Sequence, residues 1–402
     1  MRVVVDGAAA QDAHGFLAKL RESAPVCPAS TARQAAAVLV TGYGDVRALV
    51  GDGRVRHDVR SKAEREAAAE HRALTPREEL MYRAIGISML YRDPPDHTRL
   101  RGLVNRAFTP RAVERLRPRL SAVADELLDA FAPDRPVDLV AEFAVPLTTF
   151  AICELLGIPQ GDRAVFWGWA QAINDADAGD GYYEALAEAV EYLSALIEGK
   201  RADPGADLLS ELIAVSDEDG DRLSPDELVA TSLLLLIAGH DTSVHLIANA
   251  VLCLMGAPDQ LAALRADLSL VDNVVEEVLR YESPVNILPA RFAGSAIELA
   301  EGTIPEGETV LLSVLSANRD ASVFPDPDRF DITRSGAGHL SFGHGIYYCP
   351  GAPLARLEGR LAVTALVTRF PHLRLAVAPD ALRWRDSTLM HGLESLPVRT
   401  TR

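Results

Sequence analysis

Apolar residues recur at intervals of about one helical turn over much of the chain, and the last long run of this kind is the clearest. Its apolar positions are Leu354, Leu357, Leu361, Ala365 and Phe370. Residues with this spacing share one face of a helix, which can then pack against a core. The pattern predicts a long helix in this region, and Pro350 just upstream is a residue that can begin one.

The longest predicted helix covers Ser224 to about Met255. Ser224 and Glu227 have the spacing of a capping box, and Pro225 takes the first helical position. Such a helix is about 45 Å long, and it is apolar enough to raise the possibility of a membrane span. The polar stretch Gly239 to Thr242 in its middle favours a buried central helix of a globular protein instead.

That polar stretch breaks several local rules at once. Burying the Asp241 carboxylate beside the Thr242 hydroxyl costs free energy unless water or a partner satisfies both groups. Gly239 costs about 1 kcal/mol of helix propensity in addition. Rules broken together in this way usually mark a functional site.

Weaker patterns predict the remaining elements. Helices are predicted over 121–131, 143–156, 162–172, 183–200 and 271–281, with a short one over 45–50 and a shorter apolar pattern at Phe16 to Leu20. Strands are predicted over 36–41, 291–298 and 309–313, with a hairpin at Ile304 to Gly307 and short strands over 381–400. Residues 61–79 are dense in charge, which predicts a loop or a weak helix.

Two pairs of charged residues lie at helical spacing. Glu277 and Arg280 share a face, and their valine and leucine neighbours place the pair in the interior. His97 and Arg101 lie one turn apart in a basic segment of an otherwise acidic chain. A solvated face explains the second pair on its own, although paired cations can also bind carboxylates.

Cys349 is surrounded by residues that suit a ligand-binding loop. A lone cysteine is usually a small core hydrophobe. Here Gly343, Gly345 and Gly351 allow tight turns and the close approach of a bulky partner. Its place before a helix favours a thiolate, the metal-binding form of cysteine.

The composition indicates a soluble, cytoplasmic protein. The 402 residues include 40 Lys and Arg against 57 Asp and Glu, which gives a net charge of −17 and argues against a nucleic-acid partner. The four cysteines are widely spaced, so neither a disulfide framework nor a zinc site is indicated. The N-terminal stretch lacks the apolar core of a signal peptide and a membrane anchor.

Four separate motifs, in the same order along the chain, resemble those of the soluble bacterial cytochromes P450. The segment FGHGIYYCPGAPLAR resembles the haem-binding loop of that family, and EVLR resembles its Glu-x-x-Arg pair. AGHDT resembles the oxygen-activating kink in the family's central helix, and HTRLR resembles its propionate-binding run. The chain is most similar to the bacterial branch that tailors macrolides, polyketides and other natural products.

The resemblance implies the fold and the cofactor. The fold is expected to be mainly α with small β-sheets, a single triangular-prism domain over 1–402 with a long central helix above a haem. The smaller β-rich portion is expected from 36–56, 284–316 and 381–400. The cofactor is expected to be haem b, with the Cys349 thiolate as the axial ligand of the iron.

The resemblance also assigns roles to individual residues. Asp241 and Thr242 would deliver protons for the activation of dioxygen. Arg329 would be the third partner of the Glu277–Arg280 pair. Residues expected to contact the haem are His97, Arg101, Ala238, Arg291, Phe342, Gly343, Tyr347, Cys349 and Gly351.

The loop around Cys349 departs from the family pattern at two positions. Tyr347 stands where the family usually has a histidine, so this position brings no positive charge, and we expect His97, Arg101 and Arg291 to compensate. Pro350 stands where the family often has leucine or isoleucine, whose N–H points toward the sulfur. Proline has no N–H, so we expect a more electron-rich thiolate and a lower reduction potential.

By correspondence with the family, a mostly apolar set of residues should line the substrate pocket, which implies a hydrophobic substrate. The set is Ile85, Ile87, Met89, Leu90, Leu234, Ile237, Asn286, Ile287, Leu288, Leu389 and Met390. Hydroxylation or epoxidation is the leading expectation. Oxidative cross-linking of an aromatic peptide or phenol would share every motif, and a non-catalytic haem-thiolate sensor would leave Asp241 and Thr242 without a role.

The chain contains no flavin-binding or iron–sulfur motif, so electrons must come from another protein. The resemblance implies a ferredoxin and a ferredoxin reductase as transient partners. Arg106, Arg111, Arg356 and Arg360 could supply the positive charge for ferredoxin docking. A monomer that binds neither membrane nor nucleic acid is expected.

Overall fold

The computed structural model describes residues 2–31, 36–132, 135–174, 179–218, 223–335 and 338–400. They form two compact units. Unit 1 comprises Met1–Asp52, Arg117–Thr148 and Asp241–Arg402, and unit 2 comprises Gly53–Leu116 and Thr149–His240. The expectation of one domain over 1–402 stays a prediction.

The α-helices of the described residues are α1 (Gly7–Gln11), α2 (Ala13–Ser23), α3 (Tyr43–Val50), α4 (Val59–Ala69), α5 (Pro76–Met81), α6 (Asp96–Ala107), α7 (Pro110–Glu114), α8 (Arg117–Asp129), α9 (Val145–Leu156), α10 (Arg163–Asn174), α11 (Asp180–Ala202), α12 (Leu208–Glu218), α13 (Pro225–Gly256), α14 (Pro258–Ala266), α15 (Val271–Tyr281), α16 (Val314–Ala317) and α17 (Ala352–Arg369). The β-strands are β1 (Val3–Val5), β2 (Val26–Thr31), β3 (Ala37–Val40), β4 (Val55–Arg56), β5 (Val137–Asp138), β6 (Arg291–Ala293), β7 (Ile297–Leu299), β8 (Gly302–Ile304), β9 (Thr309–Leu312), β10 (Arg374–Leu375) and β11 (Pro397–Arg399).

The long helix α13 confirms the prediction from the capping box. The Ser224 N–H donates to Glu227 Oε2 at 2.8 Å, and the Glu227 N–H donates to Ser224 Oγ at 3.2 Å, so two amides at the helix start are satisfied. By length and composition α13 could span a membrane, and 78% of its most apolar window is buried inside the protein. That burial is what a core helix requires.

A sheet in unit 1 contains β1, β2, β3, β9 and β6 in that order. β3 lies parallel to β9, with Val40 opposite Leu312, and both strands are fully buried. The sequence prediction found β3 and β9 but was wrong about the first 35 residues, where it expected no strand. β1 is only three residues long. All three residues are valines, including the exposed Val4, so the sequence there lacks the alternation of apolar and polar residues that marks a strand.

The predicted hairpin at Ile304 to Gly307 is also displaced in the structure. β7 pairs with β8 so that Ile297 lies opposite Ile304 and Leu299 lies opposite Gly302. The chain therefore reverses at 300–301, and Gly307 follows the hairpin with a φ of +82°.

A network of polar side chains in unit 1 joins three distant parts of the chain. His14 Nε2 lies 2.7 Å and His391 Nε2 lies 2.5 Å from the same oxygen, Glu282 Oε1. Arg319 Nη2 lies 3.4 Å from the other oxygen of Glu282. Burial alone would raise the pKa of Glu282, but the histidines beside it lower that pKa well below its ordinary value.

Unit 2 is mainly helical. α6 packs against α12, and α10 packs against α11. Trp169 is buried against Phe166, and its Nε1–H donates to Glu188 at 2.9 Å, whereas Trp167 is 42% exposed. The charge-dense region of the sequence forms α4 and α5, and Thr75 caps α5 with its side chain.

Candidate active site

Cys349 ends a tight loop that precedes α17 in unit 1. Its N–H donates to the carbonyl oxygen of Phe342 at 2.8 Å, which closes the loop. Gly343 and Gly345 have φ values of +72° and +66°, which glycine adopts without steric cost. The Cys349 side chain is half-buried. The backbone of the loop is thus closed by its own hydrogen bond and leaves Cys349 half-buried.

The residues that follow Cys349 determine which amides can reach the sulfur. α17 begins at Ala352, so the expectation that Pro350 begins the helix was wrong, and Pro353 occupies its first turn. The Cys349 N–H is committed to Phe342, and Pro350 has no N–H. Neither of these two residues can therefore donate a backbone hydrogen bond to the thiolate.

The middle of α13 is packed closely on its unit 2 side. A Cβ at Gly239 would lie 2.9 Å from Ile152 Cδ1, so a larger residue here would require the Ile152 side chain on α9 to move. Thr149 Oγ1 lies 2.9 Å from His240 Nε2. Ala238 is exposed, although the leucines that precede it on the helix are buried.

Asp241 begins the unit 1 part of α13 and is paired with an arginine that sequence reasoning missed. Arg385 Nη1 lies 3.2 Å from Asp241 Oδ2 and 3.2 Å from His245 Nε2. The side chain of Asp241 is 3% exposed, and Thr242 beside it is half-buried. No local pattern in the sequence could reveal this pair, because its members are 144 residues apart.

Ser243, the next residue, is hydrogen-bonded to a second buried carboxyl group. Its hydroxyl donates to Glu358 Oε2, on α17, at 2.5 Å. Burial raises the pKa of Glu358 to about 8, although the hydrogen bond from Ser243 opposes that shift. Glu358 therefore holds a proton at neutral pH.

The predicted Glu277–Arg280 pair is buried and doubly hydrogen-bonded. Arg280 Nε and Nη2 each donate to a different oxygen of Glu277 at 2.8 Å. The prediction that Arg329 is the third partner was wrong at the level of side chains. The Arg329 side chain is 64% exposed, and it is Arg334 that donates to Glu277 from Nε at 3.2 Å.

Arg329 contributes to this network through its backbone instead. Its carbonyl oxygen accepts from Arg280 Nη2 at 3.1 Å and from Arg334 Nη2 at 3.0 Å. The spacing of the charged residues in the sequence does not distinguish Arg329 from Arg334, since both follow the same turn-rich segment.

The cationic residues expected to bind the haem propionates lie in both units. In unit 2, His97 is buried on α6, and Arg101, one turn later, donates from Nε to Asn105 at 2.9 Å. Burial and the nearby Arg101 cation lower the pKa of His97. In unit 1, Arg291 is buried on β6, and Tyr347 is half-buried in the short helical turn Gly345–Tyr347.

The predicted pocket residues also divide between the units. Ile85, Ile87, Met89, Leu90, Leu234 and Ile237 lie in unit 2, and Asn286, Ile287, Leu288, Leu389 and Met390 lie in unit 1. Ile287 is buried in an apolar cluster with Cys27, Leu39 and Leu311, and its assignment to the pocket stays a prediction. Asn286 Oδ1 accepts from Ser313 at 3.2 Å, and Leu389 is 37% exposed, whereas Met390 is buried.

Ser88, in the middle of the predicted pocket segment of unit 2, was not predicted as a site residue. Its Oγ is buried and makes no hydrogen bond among the described residues. Such a group costs free energy unless a ligand or water satisfies it. A hydroxyl between apolar residues was the signal in the sequence that could have found it.

Two of the four arginines predicted to attract a ferredoxin are neutralised within unit 1. Arg356 donates to both oxygens of Glu276, at 2.6 and 2.9 Å, and Arg360 donates to Asp272 at 2.9 Å. Burial raises the pKa of Glu276, but hydrogen bonds from Arg356 and His339 outweigh it and lower that pKa to about 2. Arg106 and Arg111, in unit 2, are exposed.

These features define the class of protein. A half-buried cysteine before a helix, an acid–alcohol pair within a long buried helix and a buried Glu-x-x-Arg pair are the parts of a cytochrome P450. The chain belongs to the cytochrome P450 family, whose family model matches residues 174–389. It is an oxidoreductase, a P450 monooxygenase.

The relatives place the chain within that family. It is 49% identical to cytochrome P450 107B1 of Saccharopolyspora erythraea, over 98% of this chain and 96% of that protein. It is 46% identical to the cytochrome P450 monooxygenase PikC of Streptomyces venezuelae, over 98% of this chain and 92% of that protein. The tirandamycin C-bound P450 monooxygenase TamI has the same fold, with a TM-score of 0.89 and 40% identity over 99% of this chain and 100% of that one. The relatives confirm the resemblance to bacterial macrolide and polyketide tailoring enzymes.

The family implies a haem-thiolate cofactor, and the residues present fit one. The closed loop presents a half-buried cysteine, and Ala238 is exposed in the middle of a mostly buried helix. Gly351 lies beside the sulfur, since a Cβ there would be in van der Waals contact with Cys349 Sγ at 3.6 Å. Arg291 is a buried cation, which carboxylate groups require, and the buried His97 can donate a hydrogen bond from its ring.

Proposed function

We propose that this protein inserts one oxygen atom of O2 into a C–H bond of a largely hydrophobic, natural-product-like molecule. The reaction is hydroxylation or epoxidation. The observation that carries the proposal is the buried Asp241 with the half-buried Thr242 beside it in a member of the P450 family, since a haem-binding sensor would not need this pair. The enzyme acts as a cytoplasmic monomer.

The cofactor is haem b, held by Cys349. His97, Arg101 and Arg291 bind its propionates, with Tyr347 as an additional hydrogen-bond donor. Bound haem supplies the activation of O2, which the thiolate promotes by increasing the electron density at the iron.

Asp241 and Thr242 move the protons that the reaction consumes. The Asp241 carboxylate takes up and releases a proton, and the Thr242 hydroxyl passes a proton onward by donating one and accepting another. Arg385, whose Nη1 lies 3.2 Å from Asp241 Oδ2, holds the carboxylate in position for this role.

The substrate contacts are mostly apolar. Leu234 and Ile237 on α13 and Met390 near the C-terminus supply apolar surface, and the Ser88 hydroxyl supplies a polar contact. A hydrophobic substrate with one hydroxyl or carbonyl group suits this lining.

Electrons come from a ferredoxin that is reduced by a ferredoxin reductase. The exposed Arg106 and Arg111 attract the acidic partner. Replacing Arg106 and Arg111 with glutamine should therefore weaken ferredoxin binding.

The first test is the carbon monoxide difference spectrum of the reduced protein, with Cys349→Ser as the matched variant. The wild type should show the red-shifted Soret band of a thiolate ligand, and the variant should lose it. A wild-type protein with an unshifted band would exclude thiolate ligation.

The second test is product analysis with a surrogate ferredoxin and reductase. The probes are 6-deoxyerythronolide B, tirandamycin C and vitamin D3, compounds that appear in the names of relatives. Products heavier by one oxygen atom support monooxygenation. One structural relative, CxnD, is named for C–S bond formation, so products that have lost two hydrogens without gaining oxygen would favour oxidative bond formation instead.

A further inference from the structure

The counter-ion of Asp241 comes from the C-terminal part of unit 1. We propose that Arg385 is a positioning residue for Asp241, whose guanidinium keeps the carboxylate ionised and screens it from solvent. This inference rests on the proposed function, in which Asp241 moves protons.

Burial makes a counter-ion necessary. The side chain of Asp241 is 3% exposed and that of Arg385 is 24% exposed. A carboxylate removed from water to this extent takes up a proton unless a cation lies beside it. The guanidinium supplies that cation and, being more exposed than the carboxylate it contacts, it can screen that carboxylate from solvent.

The contact between Arg385 and Asp241 is weaker than the Glu277–Arg280 ion pair of the same unit. Glu277 and Arg280 are joined by two hydrogen bonds of 2.8 Å, and both side chains are almost fully buried. Arg385 reaches Asp241 through one nitrogen at 3.2 Å, and that nitrogen is shared with His245 Nε2. A contact of this length, shared with a second acceptor, positions the carboxylate without preventing it from exchanging protons.

A hairpin fixes the position of Arg385. The Arg385 N–H donates to the Gly392 carbonyl at 2.9 Å, and the Glu394 N–H donates to the Arg383 carbonyl at 2.9 Å. A Cβ at Gly392 would lie 2.0 Å from His245 Nδ1. The glycine thus lets the hairpin lie against α13, which brings the guanidinium to the carboxylate.

The first experiment measures the solvent access of Asp241 directly and requires no turnover. The full-length haem-loaded protein is labelled with a carbodiimide and glycine ethyl ester, and the modification of Asp241 is quantified by mass spectrometry. Arg385→Ala should increase the labelling of Asp241 severalfold, and Arg385→Lys should stay near the wild-type level. Arg383→Ala, an exposed residue of the same hairpin, is the control and should have no effect.

The second experiment measures proton delivery without a substrate. NADH oxidation by a surrogate ferredoxin, its reductase and the P450 is compared in H2O and D2O, and the peroxide released is measured. Arg385→Gln and Asp241→Asn should each increase the solvent isotope effect severalfold. If Arg385 acts through Asp241, the double variant should equal Asp241→Asn, because a residue that acts through another adds nothing once that residue is gone.

The outcomes separate the two proposals. If Arg385→Ala and Arg385→Lys both leave the labelling of Asp241 unchanged, or if the effects of Arg385→Gln and Asp241→Asn simply multiply, the positioning role is overturned. If the labelling changes as expected but Asp241→Asn has no isotope effect, Arg385 positions Asp241 and the proton role of Asp241 fails. A variant that loses the carbon monoxide band is misfolded and is set aside. The labelling of Asp241 in Arg385→Lys then tests the positioning role.

Discussion

The Ser243 hydroxyl donates a 2.5 Å hydrogen bond to Glu358, and this bond joins the central helix α13 to α17, the helix that follows Cys349. Glu358 is fully buried and carries a proton at neutral pH, because burial raises its pKa to about 8 from an ordinary value of 4.5. A buried carboxyl group is therefore hydrogen-bonded to the residue that directly follows the acid–alcohol pair.

Glu358 makes the stability of the protein depend on pH. The folded state retains this proton up to about pH 8, whereas the unfolded chain loses it near 4.5, so its contribution is complete at low pH and disappears as pH rises through 8. Between pH 5 and 8 this one group should lower the free energy of unfolding by about 1.4 kcal/mol per pH unit. Glu358→Gln should remove that slope in urea unfolding measured across this range.

The exposed Glu306 provides the control for that measurement. Glu306→Gln should leave the pH dependence of the urea midpoint unchanged, because its carboxylate is exposed. If Glu358→Gln keeps the wild-type slope, Glu358 is not protonated at neutral pH.

Arg334 and Arg329 should differ sharply in their contribution to stability. Arg334→Gln removes the Nε donor to the buried Glu277 and the donors to the carbonyl oxygens of Asp326 and Arg329, so we expect a loss of about 1–3 kcal/mol. Arg329→Gln should stay within about 0.5 kcal/mol of the wild type, since its side chain is exposed. Thermal and urea unfolding of the two variants measure the difference, and equal losses would contradict the assignment of Arg334.

Gly392 should not tolerate a side chain. Because a Cβ there would lie 2.0 Å from the His245 ring, Gly392→Ala must displace the hairpin or the ring, which costs about 1–3 kcal/mol. Gly44→Ala in α3 is the matched control, because its Cβ would meet nothing within 4 Å. A Gly392→Ala protein as stable as Gly44→Ala would show that the hairpin does not lie against α13.

Ser88 should be less stabilising than an alanine in the ligand-free protein. Its buried hydroxyl has no hydrogen bond among the described residues, so Ser88→Ala should raise the free energy of unfolding by about 1 kcal/mol or more. The buried Ser232 is the comparison, since its Oγ donates to the Leu228 carbonyl at 2.8 Å and its loss should be neutral or destabilising. A destabilised Ser88→Ala would mean that the hydroxyl is already satisfied.

Pro350 should lower the reduction potential of the bound haem. Because the Cys349 N–H is committed to Phe342 and Pro350 has no N–H, the thiolate has fewer hydrogen bonds and more electron density. Pro350→Leu should restore a donor and raise the potential in a spectroelectrochemical titration. Pro353→Leu, within the first turn of α17, should leave the potential unchanged, and a fall or no change for Pro350→Leu would contradict the argument.

The sequence was informative where structure depends on neighbouring residues. The capping box at Ser224 located the start of α13, and the periodicity of α15 located both its ends, with Glu277 and Arg280 facing inward. The sequence did not reveal Arg385 or Arg334, whose partners are 144 and 57 residues away. The very short strand β1 was missed because pairing with β2, rather than its own pattern, makes it a strand.

The buried network of His14, Glu282 and His391 constrains when the chain can complete its folding. Its contacts span 268 residues between His14 and Glu282 and 109 between Glu282 and His391. During synthesis α2 emerges before Glu282 and His391, and its histidine meets both only after residue 391 has been translated. The folding of unit 1 can therefore be completed only after that point, and contacts of such long range make the folding slow.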